Sequence, residues 1–250
     1  MRYEQAKKKV IKKMQWLSPK HGMHNVFRDF TVLAACTISN SIDKQRWQKR
    51  EDMYMWTIKK YNKEEANIFA EILALVTLGL NNRMGDFMGE LYMELEISNK
   101  NSGQFFTPYD VSKIMAELVD VNLENEIVTL NEPAVGAGGM IIAYAEVMKE
   151  RGLNYQTQLK VICNDIDYDV VKMCYIQLSL LGIDAVVMQG NTITLEMNEV
   201  WYTPMHIINL ARKQKEERGL KTLVSIKKAM KFLEENENRK ELEPVQMSLF

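Results

Sequence analysis

Three cysteines in 250 residues, Cys36, Cys163 and Cys174, are too few to staple a small secreted fold and show no ligand spacing. Each sits in apolar or helical surroundings and is read as a buried free thiol in a reducing cytoplasm. Of the three histidines, His21 and His24 have no partner at metal or catalytic spacing and are read as structural. The five prolines, Pro19, Pro108, Pro133, Pro204 and Pro244, include no adjacent pair. No apolar run approaches the length of a membrane span, and the lysine-rich start lacks the apolar core of a signal peptide. These absences point to a cytoplasmic protein without disulfide, structural metal or membrane anchor.

What is present is an ordinary globular balance, 46% apolar and 26% charged, in a chain long enough for one large domain or two modest ones. The net charge of −1 hides a segregation. Residues 1–20 carry seven Lys/Arg against one acid, and residues 86–200 carry six against eighteen. An acidic middle has the wrong sign for gripping a phosphate backbone, so any nucleic acid must be met by the termini or by a partner. The Lys7-Lys8-Lys9 and Lys12-Lys13 clusters read more readily as a solvated helix face.

Residues 1–98 read as a helical domain. Val10, Ile11, Met14 and Leu17 repeat at helical spacing until Ser18-Pro19 interrupts. Val26, Phe27, Phe30, Leu33, Ala34 and Ile38 make a second stripe, and Trp47, Met53, Tyr54, Trp56, Ile58 and Tyr61 a third. Two more helices carry Ile68 to Val76 and Phe87 to Leu95. The aromatic and methionine stripes are expected to be core. From Ser98 the chain changes character: a polar loop precedes Thr107-Pro108, which opens a helix through Val111, Ile114, Met115 and Leu118.

The centre of the sequence is Leu130-Asn131-Glu132-Pro133-Ala134-Val135-Gly136-Ala137-Gly138-Gly139-Met140. A β-branched run, Ile127 to Leu130, stands before it and a helical run, Ile141 to Met148, behind it. Strand, glycine-rich turn and helix open a nucleotide-binding α/β unit. Glycine is needed there because a side chain would block the approach of backbone to ligand. Leu159 to Cys163 reads as a second strand ending in Asn164-Asp165-Ile166-Asp167, and Ala185 to Met188 as a third ending in Gly190-Asn191-Thr192-Ile193.

Gly103-Gln104-Phe105-Phe106-Thr107-Pro108, taken with Glu132-Pro133-x-x-Gly136-x-Gly138-Gly139, resembles the S-adenosylmethionine site of the adenine-N6 DNA methyltransferases. The likeness is closest to the modification subunit of type I restriction systems and its short relatives on mobile elements. That family writes G-Q-F-[YF]-T-P and [DE]-P-x-x-G-S-G-G; here Ala137 stands for the serine. The resemblance implies a Rossmann-like S-adenosylmethionine-dependent methyltransferase fold over residues 99–210, preceded by the helical domain. It implies that Gln104, Phe105, Phe106, Thr107 and Pro108 fold over the cofactor, the rings against the adenosyl group and Thr107 at the carboxylate end. Glu132, Pro133, Gly136, Gly138, Gly139 and Met140 would line the turn, Asp165 would hold the ribose hydroxyls, and Ile166 would lie on the adenine. Asp167 competes with Asp165 but has a structural task as helix cap. Asn191 stands where the family has Asp or Asn accepting from the adenine amino group.

The same family carries [DN]-P-P-[YFW] after its fourth strand, to hold and stack a flipped target base. Without adjacent prolines this chain has no such motif. Tyr202-Thr203-Pro204-Met205 is the nearest remnant, lacking the acceptor and with its aromatic residue on the wrong side. Length points the same way, because few residues follow Thr192 and most look helical. Met205 to Leu210 offers one more strand, which leaves half a methyltransferase sheet with an exposed edge.

Residues 211–250 read as a helical tail that Pro244 ends. The last five residues, Gln246-Met247-Ser248-Leu249-Phe250, resemble the bacterial sliding-clamp-binding peptide Q-L-[SD]-L-F, or else pack on the chain's own surface. The reading that results is an S-adenosylmethionine-binding protein of the adenine-N6 methyltransferase type without its own catalytic motif. DNA would be met indirectly or through other restriction-modification subunits. The alternatives are an active enzyme completed by a partner or a second copy, and a non-enzymatic module acting on modification or replication complexes.

Overall fold

The computed structural model describes residues 1–95, 106–119, 127–218 and 227–228. Met1–Ile207 form one compact unit and Ile208–Phe250 another. The five expected amino-terminal helices are all present: α1 (Tyr3–His21), α2 (Met23–Ile42), α3 (Trp47–Ile58), α4 (Lys63–Asn82) and α5 (Phe87–Glu94). Their starts are encoded locally. Asn62 and Glu65 form a reciprocal capping box on α4, and the Asp86 carboxylate accepts from Gly89 N–H at the start of α5.

Two expectations for this half are corrected. Ser18-Pro19 does not interrupt α1, which runs on to His21. Proline in the last turn removes the donor that would have met the Gln15 carbonyl, and the Ser18 hydroxyl takes that carbonyl at 3.0 Å instead. The third stripe is also not wholly core. Trp56 is 67% exposed, with the Lys60 Nζ over its ring at 4.3 Å, while the buried positions of α3 are Arg50 and Thr57.

The second half of the compact unit runs α6 (Tyr109–Leu118), β1 (Val128–Glu132), α7 (Gly139–Glu150), α8 (Tyr155–Gln158), β2 (Leu159–Asp165), α9 (Tyr168–Leu180), β3 (Asp184–Asn191) and β4 (Glu196–Tyr202). The sheet order is β1-β2-β3-β4, with the first three strands parallel and β4 antiparallel to β3. This is a Rossmann-like α/β half-sheet joined to a helical region. The join is α9. All nine residues from Val170 to Leu178 are buried, because α2 and α5 pack on one side of the helix and the sheet on the other. Each large apolar side chain so buried contributes about 1.5–3 kcal/mol.

Residues 205–210 are helical rather than a strand. Pro204 occupies the first helical position, where its missing N–H costs nothing, and the Ile207 N–H closes the first turn on the Thr203 carbonyl. The extra strand is instead β4. Its hairpin turn carries no glycine; Leu195 adopts φ 60° and the Asn191 side chain accepts from the Ile193 and Thr194 N–H groups. On α6, Val111, Ile114, Met115 and Leu118 face outward, Leu118 with 80% of its surface exposed, and the buried residues are Ser112 and Ala116. One face of the sheet is likewise open: Ile162, on the side of β2 opposite Val161 and Cys163, is 45% exposed.

The far edge of the sheet is anchored by a buried charge. Arg50, 1% exposed, pairs with the Glu199 carboxylate, donates to the Val200 carbonyl at 3.0 Å and lies over the Trp201 ring. Burial works against the Glu199 charge, but the Tyr168 hydroxyl and Arg50 outweigh it and hold the carboxyl below its usual range. Removing Arg50 takes the buried partner from a buried carboxylate and leaves it the exposed Lys49 at 3.5 Å. Arg50→Met should therefore destabilise the protein by about 3–5 kcal/mol in urea unfolding. Adding Glu199→Leu should restore most of that loss, and the Glu199 contribution should disappear as pH falls through its depressed folded pKa.

Candidate functional site

The carboxyl ends of β1, β2 and β3 converge on the glycine-rich turn. Gly136 has φ 57° and Gly138 φ 99°, both in the left-handed region that glycine adopts without strain. Gly138 N–H closes the turn on the Val135 carbonyl, and Val135 N–H donates to the Asn164 carbonyl at the end of β2. A Cβ on Gly136 would lie 3.2 Å from Phe106, and one on Gly138 would meet Cys174 Sγ at the same distance. The turn is thus pressed between an aromatic ring above and α9 below.

The predicted residues fall as follows. Phe106 lies on Gly136 and makes an edge contact with Tyr92, ring centroids 5.5 Å apart. Thr107, Gly136, Gly139 and Met140 line, with Phe106, a cavity of about 90 Å³. Asp165 is tied to the turn, its Oδ2 accepting from Gly136 N–H at 2.9 Å and its Oδ1 from Asp167 N–H at 3.0 Å. Asp167 caps α9 through Asp169 and Val170 N–H, the structural task the sequence assigns it. Glu132, at the end of β1, accepts from Ala134 N–H. Pro133 presents its carbonyl to the Thr192 hydroxyl, Pro108 precedes α6 as its cap residue, and Ile166 is exposed.

Asn191 ends β3 as expected, but its side-chain oxygen already accepts from Ile193 and Thr194 N–H. A carbonyl oxygen has two lone pairs, so the turn competes with any outside donor. Gln104 and Phe105 lie outside the described residues, as do Gln246, Met247, Ser248, Leu249 and Phe250. Tyr202 to Met205 are not brought to the crevice. Tyr202 pairs with Val186 near the start of β3, five residues before Asn191 and so roughly 16 Å away along the strand. Thr203 there is buried, its hydroxyl bonded to the Ile183 carbonyl, and Tyr202 stacks on His206.

Sequence reasoning missed three residues. Asp86, Ser112 and Gln177 lie against the turn, and all are buried. The Gln177 amide donates to Asp86 Oδ1 at 2.8 Å and to the Ala137 carbonyl at 2.8 Å, while its oxygen accepts from Met88 N–H. Asp86 and Ser112 border the 90 Å³ cavity. Burial pushes the Asp86 carboxyl up to about 6, against the pull of its hydrogen bonds from Gln177 and Gly89. Only the asparagine-like capping position of Asp86, just ahead of an apolar helix, is visible in sequence.

Burial also pushes the Cys36 thiol up to about 12 and raises Cys174, so neither thiol is poised as a nucleophile.

Residues 83–240 match the family model described as N-6 DNA Methylase. A curated relative, the type I restriction enzyme MjaIX methylase subunit of Methanocaldococcus jannaschii, is 27% identical over 115 residues, 43% of this chain and 19% of that protein. Among solved structures, the type I restriction-modification system methyltransferase subunit from Streptococcus thermophilus aligns with TM-score 0.41 and 16% identity, over 62% of this chain and 34% of that one. The chain therefore spans about a fifth of the length of the first and a third of the second. With the glycine turn, α9 and all four strands inside a match that covers more than half of its length, the chain belongs to the N-6 DNA methylase family.

Proposed function

We propose that this protein binds S-adenosylmethionine at the glycine turn and does not by itself methylate DNA. The observation that carries the reading is the cradle at Gly136. A left-handed glycine there leaves room that any Cβ would fill, an aromatic ring lies above it, and the Asp165 carboxylate is held at its edge. S-adenosylmethionine, when bound, supplies an activated methyl group. Phe106 would offer an apolar face to its adenosyl portion and Asp165 its remaining lone pairs to the ribose hydroxyls. Thr107 and the turn would meet the methionine portion, and Gln104, Phe105, Glu132, Ile166 and Asn191 complete the proposed set.

The absence of adjacent prolines supports the second half of the proposal, since nothing in the sequence supplies the acceptor and aromatic ring that hold a flipped adenine. The open sheet face and the outward apolar residues of α6 favour a partner that carries the missing part, such as another restriction-modification subunit, which would also supply contact with DNA. The tail Gln246–Phe250 is proposed as a sliding-clamp contact, Leu249 and Phe250 entering an apolar groove.

Three outcomes test these points. Titration calorimetry should register S-adenosylmethionine binding to the wild type, and Gly136→Val should abolish it, because the branched side chain meets Phe106 and forces a strained backbone. No heat from the wild type at millimolar cofactor would overturn the reading. The purified chain alone should transfer no labelled methyl group to adenine in duplex DNA, and sustained incorporation would refute that half. Deleting residues 246–250 should abolish pull-down of a bacterial sliding clamp while cofactor affinity stays unchanged, and indifference to the deletion would end the clamp assignment.

A further inference from the structure

We infer that Asp86 and Ser112, from outside the glycine turn, form the subsite for the amino-acid head of the ligand, Asp86 meeting its ammonium and Ser112 its carboxylate. The inference rests on the proposed cofactor reading and names residues that the motifs do not include. Both border the cavity beneath Phe106 and Thr107, whose 90 Å³ suits a compact head group and not a nucleoside. Asp86 Oδ1 is engaged by Gly89 N–H and Gln177, whereas Oδ2 faces the turn, 3.2 Å from where a Cβ on Gly139 would stand. Ser112 is fully buried and its hydroxyl has no hydrogen-bond partner. A buried hydroxyl left unpaired costs free energy unless something enters to meet it.

Charge adds a second, independent argument. The groups acting on Asp86 are two neutral donors, Gln177 and Gly89, and one like charge, Glu90, with no cation among them. From the elements packed around it Tyr3, Tyr109 and Cys174 also feel its charge; Arg83, which acts on the same two tyrosines, is paired with Glu4 and Glu90 and is not among the groups that act on Asp86. A carboxylate held in apolar surroundings without a counter-charge is raised toward neutrality, and an entering ammonium is the partner that restores the ion. Gly139 keeps the passage between the turn and Oδ2 open, since a side chain there would close on the carboxylate.

The subsite is tested with two thioethers that differ in the amino-acid head, S-adenosylhomocysteine and 5′-methylthioadenosine. Asp86→Asn, which keeps shape and can still accept from Gly89, should weaken S-adenosylhomocysteine about 10- to 100-fold while changing 5′-methylthioadenosine less than twofold. Ser112→Ala, which is sterically mild, should weaken the first ligand severalfold and spare the second. The wild-type affinity for S-adenosylhomocysteine should fall as pH drops through about 6, because the carboxyl must be ionised to receive the ammonium, and Asp86→Asn should flatten that profile. Thermal unfolding of both variants separates lost contact from lost fold. Equal loss of both ligands in folded variants, or loss of neither, overturns the subsite but leaves the cofactor reading standing. Wild-type protein that binds neither thioether overturns the cofactor reading itself.

Discussion

The protein depends on one buried side chain, Gln177 of α9, that ties two other parts of the chain together, the start of α5 and the glycine turn. Its amide donates to Asp86, at the start of α5, and to the Ala137 carbonyl in the glycine turn; its oxygen accepts from Met88 N–H. Every polar atom of the amide is thereby satisfied in a place where an unsatisfied one would be costly. The arrangement has a geometric effect. α9 carries Gln177 between the helical region and the sheet, so the position of the turn is fixed against α5 and not only against its own strand. Packing of α2 and α5 on α9 then makes the amino-terminal helices part of the support of the candidate site.

Much of this was legible in the sequence, and the failures have physical causes. Glycines at 136 and 138 announce a tight strand-to-helix turn because few other residues take φ of 57° and 99°. Asp167 announces a cap. Thr107-Pro108 and Thr203-Pro204 carry the same helix-start signal, yet the second was outweighed by the apolar run from Met205 to Leu210, whose composition suits either state. β4 was invisible because its turn is shaped by the Asn191 side chain and by Leu195 in a backbone region a leucine rarely takes. Thr107-Pro108 and the apolar run from Val111 to Leu118 predict the helix α6, but periodicity says only that a face is apolar and not what covers it. Asp86 and Gln177 are 91 positions apart, and no local pattern links them.

The site is anionic in a way that sequence charge alone suggests but does not locate. Residues 86–200 are strongly acidic, and Glu132, Asp165 and Asp167 cluster at the strand ends. Two of those acids are consumed locally: Asp165 braces the turn through Gly136 and Asp167 caps α9. Such use of carboxylates as backbone acceptors helps the acids coexist at close quarters, because each draws positive partial charge from N–H groups. An acidic strand end of this kind has the wrong sign for a phosphate backbone.

The two edges of the sheet are treated differently. Arg50, buried against Glu199, reaches across β4 and takes the Val200 carbonyl, so one acceptor of that strand is already occupied. β1, at the other end of the order, pairs with β2 alone among the described strands. An edge guarded on one side only can be extended once and in one direction. Were two copies to meet through their β1 strands, each would keep at its outer margin a β4 whose Val200 carbonyl is already taken by Arg50, and the combined sheet would stop there. The guard on β4 therefore sets an upper limit on association by strand pairing, a closed pair in place of an open fibre.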